Sequence, residues 1–399
     1  MISPKTKRFL FLLLWLSGIF FALKAPAQEP EQEPSYRNGF YNPRIHSELK
    51  DNSLHEISGI IYWNGSFWGH GDSGSPPEIY RMDTATGKIL QTLRINNARH
   101  IDWEDITQDK NNLYIGDFGN NLGNRKDLKI YILSKTKIPA TGDANMEAGV
   151  ITFRWEMQKQ FEAANRKHNF DCEAMTLYQG RLLLFTKNWG NLKTDIYSLP
   201  AEPGDYTALH HTTFDAGGLV TGAEFDPKKN ILFLCGYKHY IPILWLIKDF
   251  QTVDTRGWKT LRLNLDDRFG AQTEGICMGP GNKVYISTEE TSLNPALLFR
   301  AEMSELIEKL PLTGEDIFRH THSFVDGKYR ILTTHTLGKA YDLKIMNRKG
   351  KTLARFRKKS SSGTQLTIWQ PEEAGKEYIM KLSSGKYSIT TQLLNENPL

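Results

Sequence analysis

Five glutamates recur along the chain in short acidic-apolar motifs: Glu56 in H-E-I-S-G-I, Glu104 in D-W-E-D-I, Glu173 in D-C-E-A-M, Glu224 in G-A-E-F-D and Glu274 in T-E-G-I. Their separations are 48, 69, 51 and 50 residues, and an apolar run follows each at Phe67, Leu113, Leu182, Ile231 and Val284. Carboxylates gathered at one repeated position are hard oxygen donors, suited to Ca²⁺ or Mg²⁺ rather than zinc, with Ca²⁺ favoured. Two carboxylates about 6 Å apart repel by roughly 3 kcal/mol at an effective dielectric of about 20. A ring of five therefore needs a divalent cation, protonation, or donors from basic and backbone N–H groups.

Unlike polar residues follow the glutamates: His70 and Asp72 in G-H-G-D-S-G, Lys187 in F-T-K-N-W-G, Tyr237 in C-G-Y-K-H and Glu289 in S-T-E-E-T. Asp102 opens the second glutamate motif, and Asp117, Asn120 and Asn121 lie in G-D-F-G-N-N-L-G-N-R. A repeated scaffold does not require Asp in one copy and Lys in another, so these differences predict a shaped pocket for a small polar or phosphorylated ligand. The Gly116–Arg125 segment reads either as a Ca²⁺ loop outside the EF-hand pattern or as a structural Asx-turn loop. The chain lacks G-x-S-x-G, H-E-x-x-H, a phosphate-cradling glycine loop and paired C-x-x-C. His210, His211, His320 and His322 read as loop histidines. Basic and aromatic residues do not interleave in the repeats, so no nucleic-acid partner is expected.

The elements that position these residues are short strands. A period near 50 residues with several strands per period is the signature of a β-propeller blade. In the first unit, Ile57–Trp63, Phe67–His70, Ile79–Met82 and Ile89–Ile95 read as strands, with Asn64-Gly65 as a tight hairpin turn. The propeller is placed at residues 38–312 of an all-β chain. Six blades are favoured, with five and seven open, and Leu297–Leu310 with Gly39–Leu49 would complete the last. Residues 157–170 are an insertion, with a helix over Met157–Lys167 in prospect. In E-x-I, Glu and Ile share one face of an ideal strand, which puts the Glu at the channel mouth, where the strand begins, and the Ile between blades. Two readings of the glutamates stay open: a metal or ligand site, or acceptors for a neighbouring blade's backbone.

Residues 1–27 combine Lys5, Lys7 and Arg8, an apolar stretch over Phe9–Leu23, and Ala25-Pro26-Ala27, the pattern of a cleaved export signal. The mature protein is expected to lack a transmembrane anchor, to begin with a flexible stretch over 28–37, and to reside in the periplasm, at the surface or outside the cell. Cys172, Cys235 and Cys277 are too few for a disulfide framework and are expected buried as small hydrophobes. After Pro311 the glutamate motif stops. Residues 315–399 carry alternating strands at Tyr341–Met346, Thr352–Phe356, Gln365–Trp369, Glu377–Leu382 and Tyr387–Leu393, which predicts a small β-sandwich. The formal charge is +5, and eight basic residues with no acidic one lie between Lys344 and Lys359, a solvated surface or one facing an anionic partner.

E-I-S-G-I, F-W-x-H-x-D-S-G, I-Y-R-M-D-x-x-T-G, D-W-E-D-I and V-Y-I-S-T-E-E together resemble exported bacterial propellers of the SdiA-regulated and esterase-like-phytase type. The E-G-I element is similar to that of gluconolactonase and strictosidine-synthase-like propellers, whose glutamate helps hold a channel cation. That resemblance implies Glu274 as a ligand, with Glu56, Glu104 and Glu173 as looser ones. Tyr341–Lys351 and Gly375–Leu394 resemble the sorting domain of the type nine secretion system, which implies secretion machinery as a partner. The G-x-Y of that family is displaced here to Gly375/Tyr378 or Gly385/Tyr387. The function expected is an exported envelope propeller that binds a cation and a small ligand. The alternatives are a metal-dependent hydrolase of an ester, lactone or phosphoester, and a protein-interaction platform.

Overall fold

Twenty strands of the chain sort into five four-stranded antiparallel units; units 1, 3 and 4 are continuous in sequence, the second is interrupted by Ala144–Met146, and the last takes one strand from the N-terminal side. They come from a computed structural model that describes residues 36–393, apart from 253–254, 256, 266–269, 311–316, 336–338, 362 and 374–375. The expected export signal and residues 28–35 lie outside the described residues, and the first strand, Tyr36–Tyr41, begins inside the stretch expected to be flexible.

The innermost strands of blades 1 to 5 are Ile57–Trp63, Trp103–Gln108, Cys172–Tyr178, Leu219–Asp226 and Thr273–Gly279. Each packs against the next, and the fifth returns to the first. Blade 5 borrows its outer strand, Arg44–Glu48, from the N-terminal side, which pairs antiparallel with Leu297–Glu302 and closes the ring. The two segments expected to build a sixth blade therefore complete the fifth, and the count is five.

Five apolar clusters lie between consecutive blades. Leu182 and Leu184 point into the cluster shared with blade 2, whereas Leu183 and Phe185 point into the one shared with blade 4. A strand buried on both faces reads as an unbroken apolar run, the reason R-L-L-L-F and I-L-F-L-C show no alternation. The hairpins follow the expected chemistry: Asn64-Gly65 has φ of 48° and 76°, the positive pair a two-residue turn demands. The outer edges of blades 1 to 4 are covered: Ala144–Met146 lies parallel on blade 1 and Tyr36–Tyr41 on blade 4, while blades 2 and 3 join through Gly149–Trp155 and Gly204–Phe214 into an eight-stranded sheet. Pairing those edges removes templates for intermolecular strand addition.

The expected helix over 157–167 is not formed. That segment is tied down as loop, with the Ala164 and Arg166 backbone N–H groups donating to Leu122 and Asn121 carbonyls. The three cysteines are free and buried. Among the described residues no helix is long and apolar enough to cross a membrane.

Beyond the helix Met303–Lys309, a three-stranded sheet (Phe318–Val325, Lys328–His335, Gln365–Trp369) and a four-stranded sheet (Thr352–Lys358, Tyr341–Asn347, Tyr378–Ser384, Tyr387–Leu393) enclose one core of Tyr329, Ile331, Tyr341, Leu343, Ile345, Met380 and Leu382. Alternate residues of Tyr341–Asn347 are buried, the pattern of sheets with one wet face.

Candidate metal centre

The innermost strands share one irregularity. Each loses register with its neighbour at Ser58-Gly59, Glu104, Glu173, Thr221 or Glu274-Gly275. A β-bulge re-aims the side chain it carries. This resolves the parity conflict in E-x-I, since Ile106, Met175 and Ile276 still pack between blades while Glu104, Glu173 and Glu274 sit at the bulge. The equivalent positions are thus Ser58, Glu104, Glu173, Thr221 and Glu274. Glu56 and Glu224, expected in this ring, are out of register with it.

Ser58 and Thr221 use their hydroxyls to bridge blades, donating to the Glu104 and Thr273 carbonyls at 2.5 Å each. Glu224, three residues further down its strand, accepts from the Met278 N–H of blade 5 at 3.3 Å, and burial pushes its pKa up to about 8. It is a wall group that serves a neighbouring backbone. Glu56 is exposed at the rim, where its carbonyl accepts from the Asp72 N–H at 2.8 Å.

After each bulge stands Gly59, Asp105, Ala174, Gly222 or Gly275. A Cβ at Gly222 would come within 2.4 Å of the Glu274 carbonyl oxygen, and one at Gly275 within 2.5 Å of that of Ser58, so the strands leave room at this level for nothing larger than the Ala174 methyl in four of the five blades. The exception is Asp105, fully buried, whose carboxylate accepts from Met175 N–H of blade 3 at 2.7 Å, from Ile106 N–H at 2.8 Å and from Ala223 N–H of blade 4 at 3.4 Å. One side chain ties three blades together below the mouth.

Above this level Asp72, Asp102 and Glu104 converge, each offering a carboxylate oxygen within 4.8 Å of the others. Glu104 is 3 % exposed. Among the described residues no hydrogen-bond donor reaches the Glu104 or Asp102 carboxylate, whereas Asp72 accepts from Ser73 N–H at 2.5 Å. Room for the cluster comes from blade 2. Asp72, Lys187 and Glu289 follow the second strands of blades 1, 3 and 5, and their N–H groups bond to Glu56, Asp171 and Gln272; in blade 2 the residue making that bond, to Asp102, is Gly119. Burial, then the surrounding acids, raise Asp102 to about 7 and hold Glu104 well above the carboxylate range. Burial also raises Asp72.

Across the mouth, Lys187 bonds Glu173 at 2.7 Å and lies 5.0 Å from the Trp189 ring and 5.3 Å from the Tyr237 ring. Burial opposes its charge, but Glu173, Tyr237, Glu274 and Asp171 raise its pKa well above the usual value. Glu289 is lifted to about 7, by burial first and then by Asp72. Asp171 is already engaged by Asn120 N–H at 2.6 Å and Trp189 Nε1–H at 2.7 Å.

Two expected ligand groups turn away. His70 is fully buried edge-on to Trp103 and donates from Nδ1 to the Gly71 carbonyl at 3.0 Å; burial lowers its pKa to about 4. Its ring packs against Trp103 of blade 2, between blades, rather than toward the mouth. In the Gly116–Arg125 loop, Asp117 pairs with Arg125 at 2.9 Å, Asn120 accepts from Arg125 N–H at 3.0 Å and Asn121 accepts from Arg166 Nε at 3.3 Å. Asp117 Oδ1, Asn120 and Asn121 thus serve protein donors, as in the structural-loop reading of that segment, while Asp117 Oδ2 is buried without a partner among the described residues. Asp102 and Glu104 carry the carboxylates instead.

No known protein family and no curated protein matches the chain. Among solved structures, a glucose dehydrogenase aligns with 64 % of this chain and 98 % of its own at 10 % identity and a TM-score of 0.39. Regucalcin from Agrobacterium tumefaciens, described as a calcium-binding protein, covers 66 % and 94 % at 10 % identity and 0.37. An exo-β-1,3-galactanase from Phanerochaete chrysosporium, solved with galactose, covers 88 % and 98 % at 9 % identity and 0.45. The blade assignment rests on the strand order of this chain itself.

Proposed function

We propose that the propeller mouth holds one divalent cation, calcium in first place, on Asp72, Asp102 and Glu104, and that a small polar or phosphorylated ligand binds beside it toward Lys187. The observation that carries this reading is the buried Glu104 carboxylate, which has no described donor and faces two further carboxylates within 4.8 Å. Like charges at that separation repel by roughly 3.5 kcal/mol per pair at an effective dielectric of about 20, and a dication converts the repulsion into attraction. Calcium accepts several carboxylate oxygens in flexible geometry, while magnesium demands a near-octahedral set. Lys187 is the one cation among these mouth groups, and the Trp189 and Tyr237 faces on either side limit its motion.

A second reading, a hydrolase of an ester, lactone or phosphoester, is favoured by Glu289. Its pKa of about 7 suits a group that takes and returns a proton near neutrality. A dication bound at the triad would supply Lewis acidity; Lys187 would orient an anionic group, and Glu289 would move the proton. We further propose export through the segment 1–27, with residues 315–399 as the sorting signal, in keeping with the motif resemblances to SdiA-regulated propellers and the type nine sorting domain. Deleting 315–399 should then retain the protein in the periplasm, and unchanged surface delivery would refute that part.

The binding reading is tested by metal analysis of purified protein together with melting temperature in EDTA and in Ca²⁺. One bound equivalent and a Ca²⁺-dependent rise support it. A melting temperature indifferent to both additions would refute it. Turnover in an esterase, lactonase and phosphatase screen, lost on chelation and in Glu289→Gln, selects the hydrolase.

A further inference from the structure

The basic run 344–359 is not a uniform surface. Strand register divides it. On the four-stranded sheet of the C-terminal sandwich, Leu343, Ile345, Met380 and Leu382 face the core, so Asp342, Lys344 and Met346 face outward. Lys344 stands opposite Arg355 on one neighbouring strand and Lys381 on the other, and Thr390 continues the row beyond Lys381. The adjacent row is Arg357, Asp342, Ser383 and Ser388. Lys358, by contrast, lies on the inward side and donates to the Leu366 carbonyl at 3.1 Å.

Three cations therefore lie side by side across three strands, each one strand spacing of about 4.8 Å from the next. Like charges directly opposite each other in a sheet are destabilising. The outward carboxylate in these two rows, Asp342, is taken by Arg355 at 2.7 Å. Lys344, Lys381 and Arg357 make no ion pair with a described residue.

We propose that this outward sheet face binds an acidic polysaccharide, a chain with one carboxylate or sulfate per sugar laid across the strands along Arg355, Lys344 and Lys381. The straight row matches a polymer whose charge repeats at about the strand step. Ser383, Ser388, Thr390 and Gln392 on the same face supply hydroxyl and amide groups for sugar hydroxyls. The outward row beyond, Met346, Ile379 and Gln392, holds no aromatic ring. A single-stranded nucleic acid would call for stacking aromatics beside the charges, and these rows have none, so the sugar polymer is the better fit.

The test is binding of the full chain to polygalacturonate, with dextran and single-stranded DNA in parallel. Binding to polygalacturonate that weakens with salt, exceeds that to DNA, and falls roughly tenfold or more in K344E/K381E is expected. The turn variant K349E/K351E, with the same charge change, should keep most of the affinity. Circular dichroism and melting temperature confirm that both variants fold. No polygalacturonate binding at low salt, equal binding to dextran, tighter binding to DNA, or equal losses in the two variants would overturn the assignment.

Discussion

Gly119 and Glu104 fit each other: a Cβ at position 119 would stand 2.0 Å from Glu104 Oε1 and 2.5 Å from Asp102 Oδ2. The position is a glycine because two carboxylates occupy the space a side chain would take. Gly119→Ala should displace both and weaken Ca²⁺ binding by about 10–100-fold, the range for disturbing groups that hold metal ligands. Calcium titration of the folded variant checks this.

Protonation gives a prediction of opposite sign with and without cation. Burial raises Asp102 from 3.8 to about 7 and Glu289 from 4.5 to about 7. Groups whose folded pKa is raised bind more protons in the folded state, so their contribution is present below the unfolded values and is lost as pH rises through about 7. In EDTA the melting temperature should therefore fall between about pH 5 and 8 on account of these groups. Calcium needs the deprotonated carboxylates, so its stabilising effect should grow over the same interval. Melting curves at both pH values, with each addition, measure both slopes.

Lys187 and Glu173 form a buried ion pair, with side chains 7 % and 5 % exposed. Removing one partner strands the other charge, so Lys187→Met should cost about 3–5 kcal/mol in urea denaturation. The double variant K187M/E173L should recover much of that loss, since a buried pair replaced by apolar groups of similar size is often near neutral.

His70 is neutral and packed between blades, so His70→Asn should leave the calcium titration unchanged and lower stability by about 1–3 kcal/mol. A matched loss of calcium affinity would return His70 to the site.

The blades were legible because strand, turn and apolar run repeat in the sequence; Asn64-Gly65 and the run from Leu182 each sit where that reading put them. Blade number was not: Arg44–Glu48 and Leu297–Glu302 do pair with each other, but Leu297–Glu302 also pairs with Lys283–Thr288, which makes both part of blade 5 rather than a sixth unit. The ring of glutamates was half legible. Repetition of one residue type picked out Glu104, Glu173 and Glu274, but also Glu56 and Glu224, which differ in register. The better marker was the small residue behind the bulge, Gly59, Ala174, Gly222 and Gly275, since it aligns Ser58 and Thr221 with the glutamates. The carboxylate triad crosses two blades, from Asp72 to Asp102 and Glu104, and such a juxtaposition leaves no spacing signature in the chain.

The central claim is that Asp72, Asp102 and Glu104 hold a divalent cation. Calorimetric titration of Ca²⁺ into metal-free protein at pH 8, run beside Glu104→Gln and Glu224→Gln, tests it most directly. The account predicts one site in the parent chain, loss of that site in Glu104→Gln and its retention in Glu224→Gln. No binding in the parent, or binding untouched by Glu104→Gln, would contradict it.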